Sequence, residues 1–326
     1  MSEEADARGS SPDERGLMVL AARRYYVDDV SKVQIAQEMG LSRFKVARLL
    51  EQARAEGVVT ITVHADGLRD PALAARLREH LGLAEVTVVE SGGDADAVRR
   101  QVGEAAAQVL SATLRPGEVL GLAWGRTLTA MSAALPPLPR VDVVQLTGAI
   151  GTDLAESPVE IVRRVALRSG GVARPIFAPL VVDDARTAAA LRRQPDVAAA
   201  LQMFGSVTTA VVSVGSWDPP DSQLLRTIGE DERQALLEAG VRAEVASLLV
   251  SDDGHLVAPG FQDRCVTIAY EQMRAVPRIV AAAGGARKAR AVAAIVRAGL
   301  CTELVTDRAL AEALLALPPV ARGLTR

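Results

Sequence analysis

The chain has 326 residues, 49 % apolar and 24 % charged, which suits one small domain beside one of about 250 residues. Aromatic residues make up only 3 %, so the core must be built from Ala, Val and Leu, and a nucleic-acid surface of stacked rings is disfavoured. The formal net charge is −3, yet residues 15–64 hold eight Lys/Arg against five Asp/Glu, so the sign is segregated toward a DNA-facing N-terminal part.

The two cysteines, Cys265 and Cys301, have neither a CxxC partner nor histidines at metal-ligand spacing, and no metal site or cofactor is expected. They fit a reducing, cytoplasmic setting. Residues 1–12 are polar and acidic without an apolar stretch, which reads as a disordered tail rather than a secretory signal. No apolar run is long enough to span a bilayer, so no membrane partner is expected.

Residues 13–64 form the first predicted domain. Leu17 to Val27 is a helix candidate, with Leu17, Met18, Leu20, Ala21 and Tyr25 near helical spacing. The stretch "KVQIAQEMGLSRFKVARLL" then has the pattern of a helix-turn-helix starting at Lys32. Ile35, Met39, Leu41, Val46 and Leu49 fall where side chains bury between two helices, and Ala36 where the second helix crosses closely. Gly40 sits at the turn, where a positive φ is cheap only without a Cβ. Ser42 is placed to cap the second helix.

The second helix would then present Arg43, Phe44, Lys45 and Arg48 to a major groove, and Ser42 would donate to a phosphate from its N-terminus. The alternative is a solvated helix pair with a cationic face; seven matching positions, the cap and the cation placement favour DNA. "VVTITVHA" alternates and reads as a short strand or wing.

Residues 65–84 contain a linker helix with Leu73, Leu77 and Leu81 at four-residue spacing. That stripe serves either a dimer contact or packing on the next domain. Residues 85–326 alternate strands and helices: "VTVV", then Ala95 to Thr113; "EVLGLAW", then "RTLTAMSAAL"; "VDVVQL", then "PVEIVRRVALRSG". Strands "TTAVVSV" and "RIVAAA" follow, the latter leading to a helix from Ala286, and "TELVTD" leads to a last helix. This is an α/β pattern with a mainly parallel sheet, whose ligands bind where strands run into helices.

Four loops at that edge carry glycine. "GLAWGRTL" places Gly125, Arg126 and Thr127 at a turn; "QLTGAIGT" places Thr147, Gly148 and Gly151; "VSVGSW" places Gly215; "AAAGGARKAR" places Gly284 and Gly285 before Arg287, Lys288 and Arg290. Cations in a first helical turn oppose the helix dipole, which makes sense if a phosphate sits there. Each loop alone also reads as an ordinary tight turn, and Thr127 and Thr147 as local caps. His64, His80 and His255 lie outside these loops, and there is no GxSxG, HExxH or Walker motif, so no catalytic residue is assigned. Asp252–Asp253–Gly254 reads as a hairpin turn.

From Leu17 onward the chain resembles the SorC family of sugar-responsive transcriptional regulators. The resemblance rests on "IAQEMGLSRFKVARLLEQARAEGVV", "GLAWGRTL", "VVQLTGAIG", "AAAGGARKARAVAAIVRAG" and "LVTDRALAEALL". It implies a winged-helix-like head, an effector domain similar to sugar-phosphate isomerases, a homodimer or homotetramer on operator DNA, and a sugar or sugar-phosphate effector. Carried over by position, it implies that Gly125, Arg126, Thr127, Thr147, Gly148 and Lys288 line the effector cleft, and that Glu244 binds sugar hydroxyls. Some relatives carry a Schiff-base lysine in the "QLxGG" loop; here Thr147 and Ala149 stand there, so covalent aldehyde capture is not expected at that loop. "VGSWDPPDSQ" is richer in Pro and Trp than the usual family loop. The rival reading is a sugar-phosphate-converting enzyme with an added DNA-binding head.

Overall fold

The computed structural model describes residues 12–59, 68–150 and 157–320. Contacts divide the chain into two compact units, Met1–His64 and Ala65–Arg326. Residues 1–11 of the expected N-terminal tail, all of the helical head's expected wing after Val58 and Val59, and Gly151 fall outside the described residues.

The first unit holds α1 (Pro12–Tyr26), α2 (Lys32–Glu38) and α3 (Arg43–Ala55). α2 starts with a reciprocal cap: Gln34 N–H donates to Ser31 Oγ, and Ser31 N–H donates to Gln34 Oε1, each at 3.3 Å. Gly40 has φ 66°, and the turn ends at Ser42, whose Oγ accepts the Lys45 N–H at 3.1 Å. Met18, Ala21, Ile35, Ala36, Val46 and Leu49 are buried together, with Met39 and Leu41 against them. Burying each of the larger of these side chains contributes about 1.5–3 kcal/mol. Leu20 departs from the sequence pattern: it is 48 % exposed, because the buried face of α1 follows Met18, Ala21 and Ala22.

The second unit begins with α4 (Pro71–Leu81), capped by Asp70, whose Oδ1 accepts the Leu73 N–H at 2.9 Å. Leu73, Leu77 and Leu81 are all buried in the core of this unit, against β1 (Glu85–Val89) and α14 (Arg308–Leu315). The stripe is therefore core packing, the second of the two readings given above. Arg308 fastens the cap, donating to Asp70 Oδ2 at 2.6 Å and also to Glu90.

The chain continues through α5 (Ala95–Thr113), β2 (Val119–Leu122), α6 (Arg126–Ala134), β3 (Asp142–Gln145), α7 (Pro158–Ser169), β4 (Ala173–Arg174), α8 (Ala185–Arg192), α9 (Pro195–Gln202) and β5 (Thr209–Ser213). After a small inserted sheet, which carries α10 (Glu230–Glu238) within it, and the short helices α11 (Pro259–Asp263) and α12 (Tyr270–Ala275), come β10 (Arg278–Ala282), α13 (Ala289–Arg297) and β11 (Glu303–Asp307). The main sheet has seven strands in the order β1-β11-β10-β5-β2-β3-β4, every pairing parallel. Such strands bury both faces, which is why Ala210–Val212 of β5 and Ile279–Ala282 of β10 are unbroken apolar runs.

From β2 the chain winds one way, to β3 and β4; from β5 it winds the other, to β10 and β11. β2 and β5 are neighbours, so a crevice opens between their carboxyl ends, the usual ligand position in open sheets of this kind. The inserted antiparallel sheet, β7-β6-β8-β9, consists of β6 (Gly215–Trp217), β7 (Pro220–Asp221), β8 (Ala243–Val245) and β9 (Leu248–Val250). It starts two residues beyond β5 and so sits at that same edge.

Candidate functional site

In the helical unit, Ser42, Arg43, Phe44 and Arg48 are exposed on α3. Phe44 is 87 % exposed, an unusual position for a phenyl ring. Ser42 Oγ accepts from the backbone while its O–H remains available to donate. Lys45, the fourth of these expected contacts, is partly exposed, and its Nζ lies 3.0 Å from Glu14 Oε1 on α1, which ties the two helices together.

In the larger unit, one cleft at the carboxyl ends of β2, β5 and β10 gathers residues from six separate segments. Among the described residues its lining includes Arg99 of α5, Gly125–Thr127 opening α6, Ser213–Gly215 after β5, Asp221–Gln223 from the inserted sheet, Glu244 of β8, and Lys288. The cleft is open to solvent, and the cavity volume left between its side chains is about 30 Å³. The start of α6 is bare of any side-chain cap, so its first N–H groups and dipole face the cleft.

Two glycines make this geometry feasible. Gly125 has φ 138°, and a Cβ there would lie 2.2 Å from Ser213 Oγ, which itself donates to the Trp124 carbonyl at 2.7 Å. Gly215 lets Glu244 approach: a Cβ would fall 2.3 Å from Glu244 Oε1.

Asp221 lies at the centre of the charges. Arg126 Nη2 reaches its Oδ1 at 2.7 Å, Arg99 Nη2 the same oxygen at 3.4 Å, and Lys288 Nζ its Oδ2 at 3.5 Å. Burial raises the Asp221 carboxyl, but Lys288, Arg99 and Arg126 outweigh it and hold the group below the usual aspartate range. Lys288, with 13 % of its side chain exposed, also donates to the Val214 carbonyl at 2.7 Å. Burial lowers its ammonium below the ordinary lysine value, and Asp221 opposes that shift.

Glu244 is buried, lines the same cleft, and feels the charge of Lys288. It accepts the Ser222 O–H at 2.9 Å and the Ser247 N–H at 3.2 Å. Burial raises its carboxyl above the usual glutamate value, against those two donors.

The cleft thus unites five of the eight residues that the sequence assigned to an effector site: Gly125, Arg126, Thr127, Glu244 and Lys288. Gly285 is not in the lining. Its N–H donates to Asp307 Oδ1 at 2.8 Å, and its φ of 91° is what calls for glycine there. Thr147 is fully buried, and Gly148 packs against the Pro179 carbonyl; neither lines the cleft. Thr147 Oγ1 has no hydrogen-bond partner among the described residues. The helix expected from Ala286 is a short tight turn over Ala286–Lys288 followed by α13 from Ala289. Arg290 turns outward to Asp252, at 2.6 Å. Arg99, Asp221 and Ser222 were not legible as site residues; the Pro-rich "WDPPDSQ" stretch was the one signal near them.

Comparison with known proteins decides the family. Residues 68–316 match the model described as "Putative sugar-binding domain". The chain belongs to the SorC family of sugar-binding transcriptional regulators. It is 28 % identical over 309 residues to the deoxyribonucleoside regulator of Bacillus subtilis (strain 168), covering 93 % of this chain and 98 % of that one. It is 27 % identical over 302 residues to the transcriptional regulator YjhU of Escherichia coli (strain K12), covering 90 % and 92 %. The crystal structure of the full-length sorbitol operon regulator SorC from Klebsiella pneumoniae superposes with a TM-score of 0.70 at 24 % identity, covering 94 % of this chain and all of that one; this likeness is one of fold. Membership makes the chain an effector-controlled transcriptional regulator rather than an enzyme.

Among the described residues no group of three or more His, Cys, Asp and Glu side chains is arranged to hold a metal ion, and no helix is long and apolar enough to cross a membrane.

Proposed function

We propose that a phosphorylated sugar enters the cleft of the larger unit and thereby controls how the helical unit binds operator DNA. The observation that carries this reading is the convergence of Arg99, Arg126 and Lys288 at the uncapped start of α6. Three cations and a helix N-terminus suit a phosphate. Glu244, Ser222 and Gln223 line the same cleft and supply acceptors and donors for sugar hydroxyls.

On DNA, Arg43, Phe44 and Arg48 of α3 face the major groove, Ser42 donates to a phosphate at its start, and Lys45 holds α3 to α1. The cationic surplus of residues 15–64 supplies the salt-dependent part of the affinity. The protein works as a homodimer or homotetramer, the arrangement that matches a palindromic operator. Cys265 and Cys301 are free and buried, which fits a cytoplasmic setting.

A ligand shifts an equilibrium only by its differential affinity for the two states. The switch therefore needs the sugar phosphate to bind one arrangement of the DNA-binding heads better than the other. The test is a thermal-shift screen of the full chain against phosphorylated and unphosphorylated sugars, followed by DNA binding with any hit. A rise in Tm confined to a sugar phosphate, together with a changed operator affinity, supports the reading. A response to unphosphorylated sugars alone refutes the phosphate part.

A further inference from the structure

Without a ligand, the anion position of the cleft is already filled from within. The Asp221 carboxylate spreads its two oxygens over Arg126, Arg99 and Lys288 at 2.7, 3.4 and 3.5 Å. An entering phosphate would need the same donors. Glu244 feels Lys288 only at longer range, and its oxygens take the Ser222 O–H and the Ser247 N–H, so Asp221 is the carboxylate that pairs directly with these cations. Asp221 also sits on the least anchored strand nearby: β7 has two residues, lies at the edge of its sheet, and pairs only through Ser216 with Asp221 and Trp217 with Pro220.

We propose that Asp221 is a built-in competing anion that sets the charge a ligand must carry to enter the cleft. The proposal rests on reading the cleft as a phosphate site. It follows from exchange. When a monoanion replaces Asp221, one negative charge leaves the three cations and one arrives, so the Coulomb gain is close to nil. When a phosphate monoester dianion replaces it, the cations gain a second negative charge and three acceptor oxygens. The freed carboxylate, already half-buried rather than sealed in, moves to water. The cleft thus discriminates by charge, taking phosphate monoesters and rejecting sugar acids, sulfate esters and phosphodiesters. A site with the same three cations and a neutral residue at position 221 would take them all.

The test uses methyl phosphate, a dianion at pH 8, and dimethyl phosphate, a monoanion of similar oxygen chemistry. Calorimetric titration of the full chain at fixed ionic strength compares wild type with Asp221→Asn, with Asp221→Ser as a second replacement should the first fail to fold. Wild type is expected to bind methyl phosphate and not dimethyl phosphate. Asp221→Asn is expected to bind methyl phosphate at least about tenfold more tightly and to acquire measurable binding of dimethyl phosphate. Adding Lys288→Ala should remove the gain, which places the heat in the cleft. If Asp221→Asn binds methyl phosphate no better than wild type, or if wild type already binds dimethyl phosphate equally well, Asp221 is not a competitor and the proposal falls while the phosphate site stands. If no variant binds methyl phosphate, the phosphate reading itself fails and takes the proposal with it.

Discussion

A Cβ placed on Gly103 would lie 2.8 Å from the carbonyl oxygen of Thr127 and 2.8 Å from the Cβ of Ala130. Gly103 is one turn beyond Arg99 on α5, and Thr127 is in the first turn of α6 beside Arg126. The missing side chain lets the two helices close until Arg99 and Arg126 share the Asp221 carboxylate. Gly103→Ala should therefore destabilise the larger unit by about 1–3 kcal/mol, the usual cost of overpacking. It should also weaken effector binding by more than its loss of stability explains, since Arg99 is pushed out of reach. Urea denaturation and ligand titration on the same sample check this; a stability loss with unchanged ligand affinity would mean Arg99 does not serve the ligand.

Lys288→Ala removes a charge-assisted donor that the backbone cannot replace. Such bonds contribute about 1.5–3 kcal/mol, so effector affinity should fall roughly 10- to 150-fold. Operator affinity without effector should stay at the wild-type value, because Lys288 belongs to the larger unit and α3 to the other. Lys288→Arg should not restore the response: the Val214 carbonyl and Asp221 receive a point charge on a slender stem, and a planar guanidinium does not fit the same space. Fluorescence anisotropy on labelled operator, with and without effector, separates the two affinities. An unchanged response in Lys288→Ala removes that residue from the site.

The helical head and the alternating sheet were legible in the sequence because both rest on short-range regularities. Ile35, Val46 and Leu49 keep helical spacing around Gly40 and Ser42, and all three are buried. The span Ala95–Thr113 coincides with α5, whose capping Asp94 and apolar face are local features. The inserted sheet was not legible apart from its last hairpin turn. Its strands have two or three residues, and its buried positions include Ser216 and Glu244, so neither length nor alternation marks it.

The same division runs through the site. Gly125, Arg126 and Thr127 stand together in one turn, whereas Arg99 and Asp221 meet across 122 positions because the inserted sheet follows β5. Gly285 shows the opposite limit. A Gly-Gly turn before cations looks like an anion cradle, but its N–H is taken by Asp307, which lies 22 positions away in a neighbouring strand. Partnership at that distance is a property of strand order, not of any local pattern.

Arg48→Ala and Phe44→Ala should change DNA binding in different ways. Both residues are exposed on α3, but only arginine displaces counterions. Loss of Arg48 should lower the slope of log affinity against log salt by about 1 and weaken all duplexes alike. Loss of Phe44 should leave the slope intact and flatten the preference among duplex sequences, since an apolar ring meets base edges rather than phosphates. Titrations at several salt concentrations against a selected duplex and a random one decide between these patterns. Equal salt slopes in wild type and Arg48→Ala would exclude a phosphate contact.

Glu244 gives the fold a pH signature of definite sign. Burial raises its carboxyl above the value of an unfolded glutamate, so the folded chain holds this proton more tightly than the unfolded chain does. Its contribution is complete below the unfolded value and declines as pH rises toward the raised folded value, at most about 1.4 kcal/mol per pH unit. Asp221 works in the other window: its lowered carboxyl contributes above the ordinary aspartate value and loses that contribution as pH falls below it. Glu244→Gln cannot ionise. Its carbonyl oxygen can accept the Ser247 N–H, but its NH2 cannot accept the Ser222 O–H that the wild-type side chain accepts. The variant should therefore start less stable than wild type near pH 5 and close the gap as pH rises to 8. Urea midpoints across that range measure it. A constant gap would mean that Glu244 enters the fold with the proton affinity it has in the unfolded chain.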